Sequence, residues 1–220
     1  TSNICTSQAL LATMAAMYGV YHGPEGIVQI ARRVHAMAVA LDTALKALGC
    51  SQRNAAYFDT LDVGVPAGRR DAIRAAAIDA GINFRYTGGA DQIGIALDET
   101  VDESDIEDVR RVFARGLGAN APGAPIVIAT GAPEWPAALR RTSLILQHAV
   151  FRIHRSETAM MRYLKSLERK DVGLDTSMIP LGSCTMKLNS ATVMEAVTWP
   201  EFGGVHPFAP ADQAAGYAEV

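Results

Sequence analysis

The chain has 220 residues, of which 49% are hydrophobic and 20% are charged, and its formal net charge is −3. This length allows one large domain or two modest ones, each with its own hydrophobic core. The sequence has no block of basic residues, so it gives no reason to expect binding to nucleic acid or to an anionic membrane. Its apolar stretches are too short and too rich in alanine to span a bilayer.

The cysteines and the two ends of the chain bear on its context. Cys5, Cys50 and Cys184 are widely spaced and odd in number, which favours free thiols in a reducing compartment. The chain starts with TSNICTSQ and stops with DQAAGYAEV, and both stretches resemble parts of helices. We therefore expect an internal piece of a longer protein. The content of alanine and arginine favours a bacterial cytoplasm.

The first part of the chain is predicted to be helical. Apolar residues recur at steps of three and four over residues 7–21 and again over 27–48. Thr6 is a plausible N-cap of the first helix, and Gly49 supplies the stop of the second. The stretch HGPEG (22–26) breaks the chain between them.

The middle of the chain predicts a small α/β layer. Apolar residues alternate over 55–63, 82–88 and 93–99, which indicates strands, with a hairpin turn at GGAD between the second and the third. Helices are expected over 66–81 and 103–115. We therefore predict helices packed on a mainly antiparallel sheet, in the order β-α-β-β-α.

The remainder of the chain is less regular. Glycine and proline alternate over 116–142, which indicates a linker or an extended surface segment with a domain boundary inside it. Ser156 is expected to cap a charged helix over 157–170. The stretch VTWPEFGGVHPFAP (197–210) is rich in proline and aromatic residues and is expected to be irregular. The residues of the charged helix that should face inward are Met161, Leu164 and Leu167.

The stretch MIPLGSCTMKLN (178–189) combines a thiol, hydroxyls and an amine. Hydroxyls and free backbone N–H groups bind carboxylate or phosphate, and a lysine adds a point charge, so the stretch suits an anion or cofactor site. The alternative is a surface loop whose hydroxyls bond their own backbone. The candidate site residues in this stretch are Ser183, Cys184, Thr185 and Lys187.

Two further stretches carry candidate site residues. TSNICT (1–6) precedes a helix N-terminus, where an anion is favoured, although capping explains the same residues equally well. Its candidates are Asn3, Cys5 and Thr6. His206 could stack on or hydrogen-bond a ligand, or it could be structural. Cys5 and Cys184 could form a redox-sensitive pair if their segments meet, or remain two inert thiols.

Three long segments together resemble the glycine-decarboxylating P-protein family of the glycine cleavage system. They are TSNICTSQALLATMAAMYGVYHGPEG, SETAMMRYLKSLERKDVGLDTSMIPLGSCTMKLN and VTWPEFGGVHPFAPADQAAGY. The resemblance covers roughly 1–35 and 145–220, and 50–140 fits the family's small domain in position and element order. It implies a fragment of an aminotransferase-like (fold type I) enzyme that is built from two related halves. The implied parts are the end of the first-half large domain (1–22), a small α/β domain (23–120), a linker and extended segment (121–155) and the start of the second half (156–220).

The resemblance also implies a reaction and its partners. The family uses pyridoxal 5'-phosphate as the electron sink for the decarboxylation of glycine. The aminomethyl group then passes to the lipoyl group of H-protein. The implied partners are lipoylated H-protein, glycine and the rest of the P-protein, in a homodimer or a two-subunit assembly.

One departure from the family concerns the cofactor lysine. In the family this lysine lies in a His-Lys pair before a glycine-rich stretch, whereas every lysine here follows Leu, Arg or Met. We therefore expect the isolated chain to be inactive. A second interpretation is a freestanding, non-catalytic α/β module that binds a ligand or a partner.

The resemblance implies roles for individual residues. Ser183 and Thr185 would donate hydrogen bonds to cofactor or glycine, and Lys187 would contact an anion. Cys184 and His206 would lie nearby. The segment with Asn3, Cys5 and Thr6 would meet the same site or the interface.

Overall fold

The computed structural model describes residues 7–86, 88–119, 125–129, 136–171, 176 and 190–219. The chain divides into two compact units, one of residues 1–21 with 148–220 and the other of residues 22–147. None of the helices in the described part of the chain combines the length and the hydropathy that a membrane span needs.

The first helix, α1 (Ser7–Ala47), is interrupted at Gly23, whose backbone (φ 62°, ψ −178°) is not helical. Glycine adopts a positive φ without the steric cost of a Cβ atom. Pro24 follows in the first turn of the next helical stretch, where its missing N–H leaves no helical bond unmade. The break predicted at HGPEG and the stop predicted at Gly49 (φ 88°) are both confirmed.

Within the described residues, the 22–147 unit contains an antiparallel sheet of three strands in the order β1-β2-β3. The strands are β1 (Ser51–Gln52), β2 (Thr60–Gly64) and β3 (Gln92–Ala96). The register places Leu61 opposite Ile95 and Val63 opposite Ile93. These four apolar residues are buried and share one face of the sheet. The predicted fold class, helices on a mainly antiparallel sheet, is therefore confirmed and is consistent with a piece of a fold type I domain.

The prediction of a strand over 82–88 is wrong. Among its described residues only Arg85 pairs with β3, through reciprocal backbone hydrogen bonds with Gly94 of 3.0 and 2.8 Å. Phe84 and Tyr86 nevertheless pack against the core. The alternation of apolar residues here therefore reflects burial and not strand pairing. Strand β1 escaped prediction because two residues carry no measurable period.

Helices α2 (Arg70–Asp79) and α3 (Glu103–Leu117) cover the sheet. Asp102 begins α3 with a capping box, since its carboxylate accepts from the backbone N–H groups of Ser104 and Asp105 while Asp105 reciprocates. Gly118 ends the helix in the left-handed conformation. The largest fully buried side chains of this core come from α1, the sheet and both helices. They are Met37, Leu41, Leu45, Leu61, Ile73, Ile93, Ile106 and Phe113.

Part of the segment predicted as linker packs on this unit. Residues 125–129 have no regular secondary structure, and Ile126 and Ile128 lie against the core. A short 3-10 helix follows at Ala137–Leu139. The domain boundary within 116–142 and the linker over 121–155 stay predictions.

The described residues of the other unit form short helices. They are α4 (Val150–Ile153), α5 (Glu157–Glu168), α6 (Ala191–Glu195), α7 (Pro200–Gly203) and α8 (Ala215–Glu219), with 3-10 turns at Ala196–Thr198 and Ala211–Gln213. The cap predicted at Ser156 is confirmed, because its hydroxyl accepts from the N–H of Ala159 at 3.3 Å. The stretch 197–210 is less irregular than expected, since Pro200 opens α7 at a position that proline favours.

Of the inward face predicted for α5, only Leu167 is confirmed. Met161 and Leu164 are 62% and 38% exposed, whereas Met160 is 9% exposed. Among the apolar and aromatic side chains of α5 larger than alanine, those at least partly buried are Met160, Tyr163 and Leu167. This stripe also has helical spacing, but it starts one residue earlier, and one residue rotates a helix face by about 100°.

Candidate functional site

Most of the predicted site residues cannot be placed from this structure. Asn3, Cys5, Thr6, Ser183, Cys184, Thr185 and Lys187 lie outside the described residues. The thiol pair proposed for Cys5 and Cys184 lies outside them for the same reason. Of the predicted site residues, His206 alone is described.

His206 stabilises the turn that contains it. Its Nδ1 accepts a hydrogen bond of 3.0 Å from the backbone N–H of Phe208, and its carbonyl accepts one of 2.9 Å from Ala209. Because Nδ1 is the acceptor, the proton of the neutral ring lies on Nε2. The ring is exposed and lies 5.8 Å from that of Phe208. These contacts fit the structural alternative, and the ligand role of His206 stays a prediction.

The aromatic residues near His206 contact one another only in part. Phe202 packs on Trp199 at 6.3 Å and on Tyr217 at 6.1 Å, and the Tyr217 hydroxyl donates to the Phe202 carbonyl. Phe208, by contrast, is 89% exposed. Phe202 therefore anchors the segment.

The lysines of the described part do not fit pyridoxal phosphate. Lys46 donates to Asp42 at 2.8 Å and is 53% exposed, and Lys165 donates to Glu168 at 2.8 Å and is 41% exposed. Lys170 is exposed in the turn after α5. A lysine that binds a carbonyl group needs a lowered pKa, which burial or a neighbouring cation supplies. Neither Lys46 nor Lys165 is buried, and each pairs with a carboxylate, so no step of a cofactor reaction is assigned to these residues.

The described residues also show no site for thiol or metal chemistry. Cys50 is buried, and burial raises the pKa of its thiol to about 11. Since the thiolate is the reactive form, this cysteine is inert at neutral pH. Within the described residues, no group of three His, Cys, Asp or Glu side chains could hold a metal ion.

A buried polar cluster joins α1 to the loop before β2. Asp42 is 7% exposed and accepts hydrogen bonds from the Tyr57 hydroxyl at 2.7 Å and from Lys46 at 2.8 Å. His35 lies with Nδ1 2.7 Å from the Phe58 carbonyl. Burial, followed by the hydrogen bond to Asp42, raises the pKa of Tyr57 well above its usual range. This cluster was not predicted from the sequence, although an Asp within the apolar stripe of α1 was a usable signal.

An apolar cleft of about 500 Å³ lies within the 22–147 unit, between α1 and residues 125–129. Small side chains such as Ala40 and Ala44 form one wall, Ile126 lies on the other, and Arg110 also lines it. Among the described residues, no carboxylate, imidazole or thiol lines this cleft. The cleft therefore has room for an apolar group but shows no set of groups for acid–base or nucleophilic chemistry.

The comparison with known families indicates a family for this chain, which the described side chains alone do not. The sequence model of the glycine cleavage system P-protein matches residues 1–113, just over half of the 220-residue chain. The match includes the first of the three resembling segments and most of the α/β unit, whereas the segments after residue 150 lie outside it. The resemblance of those later segments stays a prediction. The chain belongs to the glycine cleavage system P-protein family.

Proposed function

We propose that this chain is part of the glycine-decarboxylating enzyme of the glycine cleavage system. The family is that of glycine dehydrogenase, an oxidoreductase, and the match over residues 1–113 is the observation that carries the proposal. In the proposed reaction glycine loses carbon dioxide and its aminomethyl group passes to the lipoyl group of H-protein. Pyridoxal phosphate, when bound, supplies the electron sink for the decarboxylation.

The contribution of this chain is to bind and orient. Ser183 and Thr185 donate hydrogen bonds to substrate or cofactor oxygens, and Lys187 supplies a positive charge for an anion. The segment of residues 1–6 contributes to the same site or to its border. The rest of the P-protein supplies the cofactor lysine. The lack of a His-Lys pair in the sequence and the exposure of the described lysines both support this division.

The proposal is tested by substituting Lys187 in the gene that encodes the chain. The measurement is the exchange of labelled bicarbonate into the carboxyl group of glycine, in extracts supplied with lipoylated H-protein. Lys187→Gln should lower this exchange by about tenfold or more, because the loss of one charged contact is worth roughly 1.5 to 3 kcal/mol. Lys170→Gln removes the same charge from an exposed turn and should leave the exchange unchanged. Equal exchange in both variants would contradict the proposed site.

A second candidate function is a non-catalytic module, which the poor fit of the described lysines favours. Titration of the purified chain with pyridoxal phosphate, followed by borohydride reduction and peptide mapping, shows whether the chain itself holds the cofactor. We expect no adduct, or only scattered labelling of surface lysines. A stoichiometric adduct on Lys187 would show that the cofactor lysine lies within this chain and would eliminate the non-catalytic candidate.

A further inference from the structure

The hydroxyl of Tyr86 is enclosed by protein atoms and has no hydrogen-bond partner among the described residues. The ring meets Phe84 edge to face at 6.4 Å and packs against the core of the 22–147 unit. A phenol can bury its ring without penalty, but a buried hydroxyl that lacks an acceptor opposes folding. The position therefore calls for an acceptor that the described residues do not supply.

Two arginines of α2 are near Tyr86: one lies over its ring, and the other bonds the loop that follows it. The guanidinium carbon of Arg74 lies 5.4 Å from the centroid of the Tyr86 ring, and Arg74 makes no ion pair with a described residue. Arg70 donates one hydrogen bond to the Gly89 carbonyl at 3.1 Å, and its Nε lies 3.7 Å from Asp71, whose side chain is 87% exposed. A guanidinium group has five N–H donors, so both arginines keep donors for a further acceptor.

The electrostatics of Tyr86 agree with this geometry. Burial is the largest influence and raises the pKa of the hydroxyl, and the positive charges of Arg74 and then Arg70 oppose that rise. Arg74 is exposed and lies over the Tyr86 ring, and a ligand would reach the hydroxyl once this side chain turns outward.

We propose that Arg70, Arg74 and Tyr86 form a binding site for the phosphate group of a small molecule. Two guanidinium groups match the charge of a phosphate dianion, and the hydroxyl donates to one of its oxygens. A carboxylate, with one charge and two oxygens, leaves part of this donor set unused. The proposal is independent of the function proposed above, because none of these residues is among its site residues.

Titration of the full 220-residue chain with inorganic phosphate at low ionic strength tests the proposal. Calorimetry measures the heat of binding. We expect saturable binding of one phosphate, about tenfold weaker in Arg74→Gln and several-fold weaker in Tyr86→Phe. Arg111→Gln removes the same charge from α3, where Arg111 is 59% exposed and pairs with Asp108, and should bind like the wild type. Phosphoserine should bind as phosphate does, and acetate should bind more weakly.

Thermal unfolding gives a readout that does not depend on tight binding. Without phosphate, Tyr86→Phe should unfold at the same temperature as the wild type or higher, because it removes a buried hydroxyl that has no acceptor. Added phosphate should raise the midpoint of the wild type more than that of the variant. A lower midpoint for Tyr86→Phe without phosphate, equal losses in Arg74→Gln and Arg111→Gln, or equal binding of acetate would each overturn the proposal.

Discussion

Asp42 is tolerated in the core of the 22–147 unit because two donors meet its carboxylate. The Tyr57 hydroxyl approaches to 2.7 Å and Lys46 to 2.8 Å, while Leu41 and Leu45 of the same helix face are fully buried. A buried carboxylate without such partners would be strongly unfavourable. The cluster therefore fixes the loop before β2 against α1.

Substitution of Tyr57 tests how much this cluster stabilises the fold. Tyr57→Phe removes one hydrogen bond to a charged acceptor but leaves Lys46 in place, so we expect a loss of about 1 to 2 kcal/mol in the free energy of unfolding. Urea denaturation at pH 7 measures it. Tyr163→Phe is the control, because the Tyr163 ring stacks on His154 at 4.0 Å without a hydrogen bond from its hydroxyl to a described residue. An equal effect in both variants would contradict the role of the Asp42 bond.

Asp98 and Asp102 should account for part of the folding stability that the chain loses at low pH. Hydrogen bonds from the Thr100 side chain lower the pKa of Asp98, and those from the Ser104 side chain lower the pKa of Asp102. A carboxylate whose pKa is lower in the folded state contributes stability above its unfolded pKa of about 4 and loses it as the pH falls through the folded value.

The double variant Asp98→Asn with Asp102→Asn should therefore lose less stability than the wild type as the pH falls below about 4. Denaturant midpoints measured at a series of pH values provide the comparison. Asp212→Asn removes the same charge from an exposed residue and should retain the slope of the wild type. A double variant with an unchanged slope would show that these two carboxylates do not control the acid dependence.

At the scale of the elements, α2 and α3 depend on one glycine for their close approach. A Cβ atom built on Gly116 would lie 2.5 Å from the Ile73 Cα and 2.7 Å from its backbone nitrogen. Neither atom belongs to a flexible side chain, so the two helices would have to separate. This contact is the reason for a glycine within α3, where its helix propensity is poor.

Gly116→Ala should destabilise the chain by about 1 to 3 kcal/mol, the usual cost of overpacking a close contact. Chemical denaturation monitored by circular dichroism measures the change. Gly216→Ala is the control, since no atom lies within 4 Å of the Cβ position there. A Gly116→Ala variant as stable as the control would mean that the helices separate easily.

Arg33 connects α1 to the loop before α3. Its Nη1 donates to the Glu99 carbonyl at 3.1 Å and its Nη2 to the Val101 carbonyl at 2.8 Å. Arg33→Gln should therefore lower the free energy of unfolding by about 1 kcal/mol. Arg32→Gln, one residue earlier and also exposed, removes the same charge and should be neutral in the same denaturation assay. Equal losses in the two variants would assign the effect to charge instead of to these hydrogen bonds.

Local signals predicted most of the elements, and contacts distant in sequence account for the errors. The helix ends at Gly49 and Gly81 were predictable because glycine supplies the positive φ that both positions have. The strand at 82–88 was wrong because hydrogen-bond pairing depends on the partner segment. The candidate site depended on resemblance. Tyr57, one of the two donors to Asp42, lies 15 residues from it, beyond the reach of a periodicity argument.

At the scale of the whole chain, the two units differ in how much apolar surface they bury. Outside the 22–147 unit, the buried apolar residues of the described part are Val20 and Met160. Leu10 and Met14, predicted to lie on an apolar helix face, are 65% and 58% exposed. Because apolar burial is the dominant favourable term in folding, the 22–147 unit should hold most of the stability.

Hydrogen exchange followed by mass spectrometry tests this difference. Peptides from α3 and β2, which line a continuous core, should exchange at the rate set by global unfolding of the 22–147 unit. Peptides from α6, α7 and α8 should exchange at least about tenfold faster, because short helices with exposed apolar side chains open locally at low cost. An apolar dye should also bind the chain under native conditions, as expected from exposed Trp199 and Phe208. Uniform protection across both units, together with weak dye binding, would contradict this difference and would mean that residues 190–219 share the stability of the α/β core.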